Sequence, residues 1–345
     1  MVVDAPSVVE EALARYGALV APRLAALVPE GASPAYLVEP MVEYPSRGGK
    51  SLRPALCLAA CEAFGGAVED ALASAVALEA LHNAFLVHDD IEDASELRRG
   101  QPTLHRRYGT ALALNAGDGL TLLALAALRD NIGRLGPRMA ERVMAEFEFM
   151  GAQTVDGQAL ELGWRQDNRL DVGPTDYLEL IMKKTCWYTT ILPLRVGALI
   201  GSWGTADLQV MIDFGFNLGA AFQIRDDILN LLPDAGHYGK EELGDLREGK
   251  RTLVLIHLLA AAEPAERAWI EDYLAQPLEA RTMDDARQLH RLMLRHGSIP
   301  FAAEFARGMA TAAERTFERA FAGLPDGAAR RFIRQLIPYM VERAA

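Results

Sequence analysis

EDALASAVALEALHNAFLVHDDIED, residues 69–93, is apolar almost all the way along and closes on four carboxylates, Asp89, Asp90, Glu92 and Asp93. A helix of this length that is apolar round most of its circumference belongs in the interior of a protein. Positions four apart share a helix face, so Asp89 and Asp93 point the same way. A second stretch, FQIRDDILN at 222–230, repeats the arrangement with Asp226 and Asn230 on one face and Asp227 beside them. Carboxylates gathered on a buried face repel one another unless cations neutralise them. Hard oxygen ligands of this kind suit Mg²⁺, which commonly joins one or two carboxylates to phosphate groups. The two stretches predict a metal–diphosphate site between facing helices.

Outward from these stretches, helical periodicity continues nearly everywhere and alternating β-branched runs are missing. Helices are expected over 7–28, from Arg53 to Gly65, and over 69–93, 104–131, 137–163, 174–201 and 205–232. They resume over 251–262, 264–275, 283–296, 299–322 and 326–343. Loops fall at 45–50, 97–103 and 239–250, where Gly, Pro and charged residues cluster. The pattern predicts one all-α domain over 1–345, of ten or more helices, with residues 1–45 as a helical segment packed on it.

Lys and Arg number 35 against 47 Asp and Glu, a net charge of −12. That balance argues against a nucleic-acid face or a polybasic membrane surface. Three cysteines, Cys57, Cys61 and Cys186, with no secretory pattern at the N-terminus, fit a reducing compartment. The apolar run 111–128 contains Asn115 and Asp118 and reads as a core helix, not a membrane span. A soluble cytoplasmic protein is expected.

The basic residues are concentrated in four places near the acidic stretches. Lys50 and Arg53 follow two glycines at a helix start, where backbone and dipole favour anions. Arg98 and Arg99 follow the first acidic stretch, where a bidentate phosphate clamp would sit. Lys183 and Lys184 interrupt an apolar helix, which predicts one lysine at the surface and the other in a pocket. Lys240 and Lys250 follow the second acidic stretch. Each cluster alone is ordinary solvated charge; together they surround the acidic pairs.

These segments resemble the polyprenyl synthetases, the trans-isoprenyl diphosphate synthases. GGKSLRP at 48–54, HDDIEDASELRRGQPTLH at 88–105, GQALEL at 157–162, Lys184-Thr185, FQIRDDILN at 222–230 and YGKEELGDLREGKRT at 238–252 carry the likeness, which spans residues 48–343. The resemblance implies an all-α fold around a deep central cavity, a homodimer, and head-to-tail condensation of isopentenyl diphosphate with an allylic diphosphate. It implies Mg²⁺, up to three ions with substrate, on Asp89, Asp93 and Asp226, with Asp90 and Asp227 in support. Arg98, Lys184, Thr185, Gln223, Lys240 and Lys250 would hold the allylic diphosphate. Lys50, Arg53, His82 and Arg99 would hold isopentenyl diphosphate. By residue chemistry, an allylic cation needs a dry, apolar site, where Phe222 or another aromatic can help by cation–π attraction.

Two features bear on product length. Asn230 stands where most members have Asp, and the first motif lacks the insertion of typical bacterial farnesyl diphosphate synthases. The growing chain is expected to run along the helix below Asp89, past Ala84, Phe85 and Leu81. A C20 product is expected, with C15 and C25 as competitors. A terpene cyclase of the same fold would not need the second group of cations, and a non-catalytic partner subunit would not keep both aspartate pairs.

Overall fold

A computed structural model describes residues 7–232 and 242–342. The described chain is helical nearly throughout. Helices α1 (Val8–Ala26), α2 (Glu39–Ser46), α3 (Leu52–Ala63) and α4 (Val68–Glu92) lead to a two-stranded antiparallel hairpin, β1 (Leu97–Arg98) and β2 (Gln101–Pro102). Then come α5 (Leu104–Tyr108), α6 (Thr110–Leu135), α7 (Pro137–Gln166) and α8 (Pro174–Ile181). A π-helical stretch, Met182–Ile191, runs into α9 (Leu192–Gly201), followed by α10 (Val210–Leu229) and α11 (Gly244–Glu248). The chain closes with α12 (Leu253–Ala261), α13 (Pro264–Ala275), α14 (Met283–Arg295), α15 (Ser298–Ala320) and α16 (Ala328–Glu342).

The apolar periodicity explains the packing. α4 packs on α6 and α3, α3 on α9, and α10 on α15 and the π-helical stretch. α1 lays Val9, Leu13, Tyr16, Val20 and Leu24 inward against α3, α4 and α16. This spacing of three and four residues forms a single stripe. A smaller core, with Met41, Tyr44, Ala84, Val87, Leu104 and Ala113, joins α2, α4, α5 and α6. α4 and α6 are long and apolar enough by length and composition to cross a membrane; 56% of the apolar window of α4 and 44% of that of α6 is buried inside the protein.

The structure departs from the expected elements at particular places. The expected loop at 97–103 contains the hairpin, whose turn places Arg99 at φ 55° and Gly100 at φ 72°. The helix expected over 104–131 breaks at Gly109, where φ is 85°, a conformation open to glycine. The helix expected to begin at 205 begins at Val210. The long helix expected over 174–201 widens into a π-helix across Met182–Ile191, a form that concentrates at functional sites.

Candidate active site

Both acidic motifs lie at helix C-termini. Asp93 is the C-cap of α4 and Asn230 the C-cap of α10. The carbonyl ends of two helices carry partial negative charge, so each motif adds carboxylates where a cation is already favoured. Asp89, Asp226 and Asp227 line one cavity of about 790 Å³, together with Lys50, Arg53, His82, Arg98, Arg99, Lys184, Thr185, Gln223 and Lys250. Lys240 lies outside the described residues.

The first motif splits into two roles. Asp89, Asp93 and Glu161 offer carboxylate oxygens all within 4.8 Å of one another. Lys184 Nζ stands 3.2 Å from Asp89 Oδ1 and 2.6 Å from Glu161 Oε1. Arg165 donates to Asp93 at 2.5 Å, and Lys250 Nζ lies 2.8 Å from its other oxygen. Burial works against charge on Asp93, but Lys250, with Lys184 and Arg165, outweighs it and holds the carboxyl below its ordinary range. Lys184 is likewise buried at a cost to its charge, yet Asp89 and Glu161 keep it firmly protonated. Asp90 points the other way. It is 1% exposed, accepts from Tyr44 Oη at 2.5 Å, and is clasped by the Arg98 guanidinium. Asp90 therefore anchors Arg98 and α2 behind the cavity wall.

In the second motif, Asp227 accepts from Tyr177 Oη at 2.7 Å and Gln223 Nε2 at 2.7 Å. Burial, and then Asp245 and Asp226 nearby, push its carboxyl up to about 7 in spite of these bonds. Asn230 is buried, and its Oδ1 accepts from the backbone N–H of Asp245 at 3.1 Å. The neutral amide thus ties α10 to α11, where a third carboxylate would add repulsion.

The lysine pair divides as its sequence suggests. Lys183 meets Asp156 at 2.9 Å and Glu179 at 3.0 Å on the surface, while Lys184 turns inward. Gly157 makes this possible, since a Cβ there would lie 2.3 Å from the Lys184 backbone nitrogen. The other group of cations lies further along the cavity. Arg53 stacks 4.3 Å over the Tyr188 ring, donates to Thr189 Oγ1 at 2.9 Å, and sits 3.2 Å from His82 Nε2. A guanidinium can only donate, so His82 Nε2 accepts and Nδ1 carries the proton. That Nδ1 is buried and has no partner among the described residues. Burial, with Arg53 and Arg99 beside it, lowers the imidazole well below its ordinary value. His82 is a neutral donor with one bond unmade. Arg99 donates to the Tyr44 carbonyl at 3.1 Å and packs over Gly49.

The family model described as Polyprenyl synthetase matches residues 34–293. A short chain isoprenyl diphosphate synthase of Methanothermobacter thermautotrophicus is 32% identical over 86% of this chain and 87% of its own. A geranylgeranyl diphosphate synthase of Saccharolobus solfataricus is 34% identical over 75% of this chain and 76% of its own. The crystal structure of geranylgeranyl pyrophosphate synthetase from Pyrococcus horikoshii superposes with a TM-score of 0.84 at 33% identity, covering 97% of this chain and 99% of that one. The chain belongs to the polyprenyl synthetase family. It is a trans-prenyltransferase of the magnesium-dependent kind, in a family that acts on isopentenyl and allylic diphosphates.

As a polyprenyl synthetase, the chain fits its metal on its own residues. Three clustered carboxylates, Asp89 and Asp93 at the end of α4 and Glu161 on α7, supply hard oxygen donors, with Lys184, Lys250 and Arg165 as their counter-charges. Of the expected chain-length residues, Phe85 lines the cavity and meets Tyr188 edge-on at 5.5 Å. Ala84 lies round the helix in the smaller core with Tyr44 and Val87, outside the cavity lining. Leu81 packs half-buried on the main core. Consecutive residues on a helix point about 100° apart, which separates Ala84 from Phe85. Phe222 lines the cavity as expected, while His88 also reaches it and packs over Gly117. Sequence reasoning passed over Glu161, Arg165, Tyr177 and Tyr188. Glu161 had a signal, because it lies in the quoted GQALEL segment one turn from Gly157; Arg165 lies one turn further on.

Proposed function

We propose that this polyprenyl synthetase makes a C20 prenyl diphosphate by adding isopentenyl diphosphate to shorter allylic diphosphates. The observation that carries the coupling assignment is that one cavity is lined by two separate groups of cations. Lys184, Lys250 and Arg98 adjoin the carboxylates, and Lys50, Arg53 and Arg99 lie with His82 further along. One diphosphate would need only the first.

In this reading Asp89, Asp93 and Asp226 hold Mg²⁺, up to three ions with substrate, and Asp90 and Asp227 support them. The metal supplies Lewis-acid neutralisation of the departing diphosphate, on the order of several kcal/mol. Arg98, Lys184, Thr185, Gln223, Lys240 and Lys250 hold that diphosphate while the allylic C1–O bond breaks. Their charges are fixed before reaction and need no reorganisation as negative charge develops. The apolar wall with Phe222 and Tyr188 keeps water from the allylic cation. Lys50, Arg53, Arg99 and the His82 Nδ1–H hold isopentenyl diphosphate, whose double bond attacks C1. The proton lost from its C2 passes to the released diphosphate.

The C20 assignment is supported by Phe85 on the cavity wall and by the geranylgeranyl diphosphate synthases among the relatives. We further propose a single domain over 1–345, two copies in the working enzyme, and a soluble cytoplasmic location. The test is incubation of the protein with Mg²⁺, isopentenyl diphosphate and dimethylallyl, geranyl or farnesyl diphosphate, with products separated by length. Geranylgeranyl diphosphate from all three starters is expected. A product stopping at C15 or running on to C25 would overturn the C20 assignment, and cyclic hydrocarbon without elongation would overturn coupling.

A further inference from the structure

Two buried arginines near the second acidic motif have no carboxylate to answer their charge. Arg251 is 3% exposed and Arg281 8%. Among the described residues neither is paired with an acid, and every hydrogen bond they make ends on a neutral oxygen. Arg251 donates from Nε to the Arg169 carbonyl at 3.0 Å, from Nη2 to Asn168 Oδ1 at 2.6 Å, and from Nη1 to the Gly249 carbonyl. Arg281 donates to the carbonyls of Gln276 at 3.1 Å, Arg247 at 2.7 Å and Leu274 at 2.9 Å. A buried charge is ordinarily matched by an opposite one, as Arg98 is by Asp90 and Arg165 by Asp93.

The ends of three helices take the place of carboxylates. Asn168 and Arg169 follow the C-cap of α7, Arg247 and Gly249 close α11, and Leu274 and Gln276 close α13. Carbonyls at helix C-termini carry partial negative charge. Such dipoles solvate a guanidinium without cancelling its unit charge. Burial, with Arg281 and Arg165 beside it, pushes Arg251 down to about 10, so it stays charged at neutral pH. The two guanidiniums crowd Gly249, where a Cβ would lie 2.5 Å from Arg281 Nη1 and 3.3 Å from Arg251 Nη1. Lys250 comes next, and Arg251 lines the catalytic cavity beside it. The lysines at the carboxylates are in a different position. Lys184 lies between Asp89 and Glu161, and Lys250 meets Asp93 and Glu248 at 2.8 Å each, so carboxylates already cancel much of their field.

Resting on the reading that places the allylic diphosphate at Lys184 and Lys250, we propose that Arg251, backed by Arg281, is a positioning residue of that site. It supplies a positive charge that no carboxylate cancels, and this charge holds the diphosphate of the allylic substrate and of the released leaving group. The bonds that fasten the 249–251 turn to the ends of α7 and α13 also fix the charge in place. No reorganisation is then needed as negative charge develops on the leaving group. The isopentenyl diphosphate site takes its charge from Lys50, Arg53 and Arg99 on other elements and is expected to be indifferent to Arg251.

The probe is inorganic pyrophosphate with Mg²⁺, measured on the full-length enzyme as an inhibitor competing with the allylic substrate. Arg251→Gln keeps a neutral side-chain donor and drops the charge. It is expected to weaken pyrophosphate and raise the allylic KM roughly tenfold, the effect of one unit charge across a partly screened distance, with the KM for isopentenyl diphosphate within about twofold of wild type. Arg251→Lys keeps the charge with fewer hydrogen bonds and is expected to bind pyrophosphate within about threefold of wild type. Arg281→Gln removes the second charge from behind the cavity wall and is expected to weaken pyrophosphate about threefold, which keeps the test decisive where Arg251→Gln does not fold. Wild-type pyrophosphate binding in either Gln variant, or an equal loss in Arg251→Lys and Arg251→Gln, would overturn the proposal and leave Arg251 as a prop for the turn. Lys250→Met is the control. A loss there with none in Arg251→Gln would overturn this proposal alone, whereas no loss there would overturn the placement of the diphosphate and this proposal with it.

Discussion

Replacing Lys184 with Met isolates the electrostatic logic of the site. Lys184 bridges Asp89 at 3.2 Å and Glu161 at 2.6 Å, with its side chain 19% exposed. Removing one member of a buried ionic group costs about 3–5 kcal/mol, because the remaining charges stay desolvated and unpaired. Lys250 remains nearby, on Asp93 at 2.8 Å, so the lower end, about 3 kcal/mol, is appropriate. At about 2–4 °C per kcal/mol for larger domains, Tm should fall by roughly 6–12 °C in EDTA. Mg²⁺ replaces the missing positive charge at the same carboxylates, so the deficit should shrink when it is added. Catalysis should not recover, since a preorganised donor to the leaving diphosphate is gone; a loss of about 10²–10³ in kcat is expected. Differential scanning fluorimetry with and without Mg²⁺, and steady-state kinetics, read the two effects. An unchanged Tm in EDTA together with wild-type kcat would refute the reasoning.

Phe85→Ala removes the aromatic from the cavity wall and its edge contact with Tyr188. Product should lengthen by one or more C5 units, read by chromatography of dephosphorylated products, and an unchanged distribution removes Phe85 from the length-setting wall. His82→Gln keeps a neutral donor and should leave KM for isopentenyl diphosphate within a few-fold of wild type. His82→Ala should raise that KM without raising the KM for the allylic substrate. For Asp227, burial raises the folded carboxyl to about 7 from an ordinary value of 3.8. The folded state then holds the proton more tightly, so this contribution is complete below about pH 4 and is lost as pH rises towards 7. Metal-free Asp227→Asn should show a flatter fall in Tm across that window than the wild type, measured in EDTA.

Much of this site is legible in the sequence because its chemistry is concentrated in short runs. HDDIED and FQIRDD are helix ends by periodicity and cation sites by composition, and the structure sets both at C-termini. The helix over 137–163 is found at Pro137–Gln166 for the same reason, a long amphipathic pattern opened by proline. What escapes is set by packing between distant segments. Asp90 and Asp89 are neighbours of the same type, and only the burial of Tyr44 against α4 shows that Asp90 faces away. Ala84 and Phe85 differ only in which side of α4 each takes. Tyr177 reaches Asp227 across 50 residues, a contact no local pattern encodes. The π-helical widening at Met182–Ile191 has no propensity signature either, because its backbone form depends on what packs around it.

The central claim is that one cavity holds two diphosphates, one at the carboxylates and one at the second group of cations. The most direct measurement is a crystal structure of the protein with Mg²⁺, isopentenyl diphosphate and an unreactive allylic thiolodiphosphate. The allylic diphosphate is expected beside Lys184 and Lys250, with Mg²⁺ on Asp89, Asp93 and Asp226, and isopentenyl diphosphate on Lys50, Arg53, Arg99 and His82 Nδ1. A single diphosphate at the carboxylates, with the second group of cations left empty at saturating isopentenyl diphosphate, would contradict it.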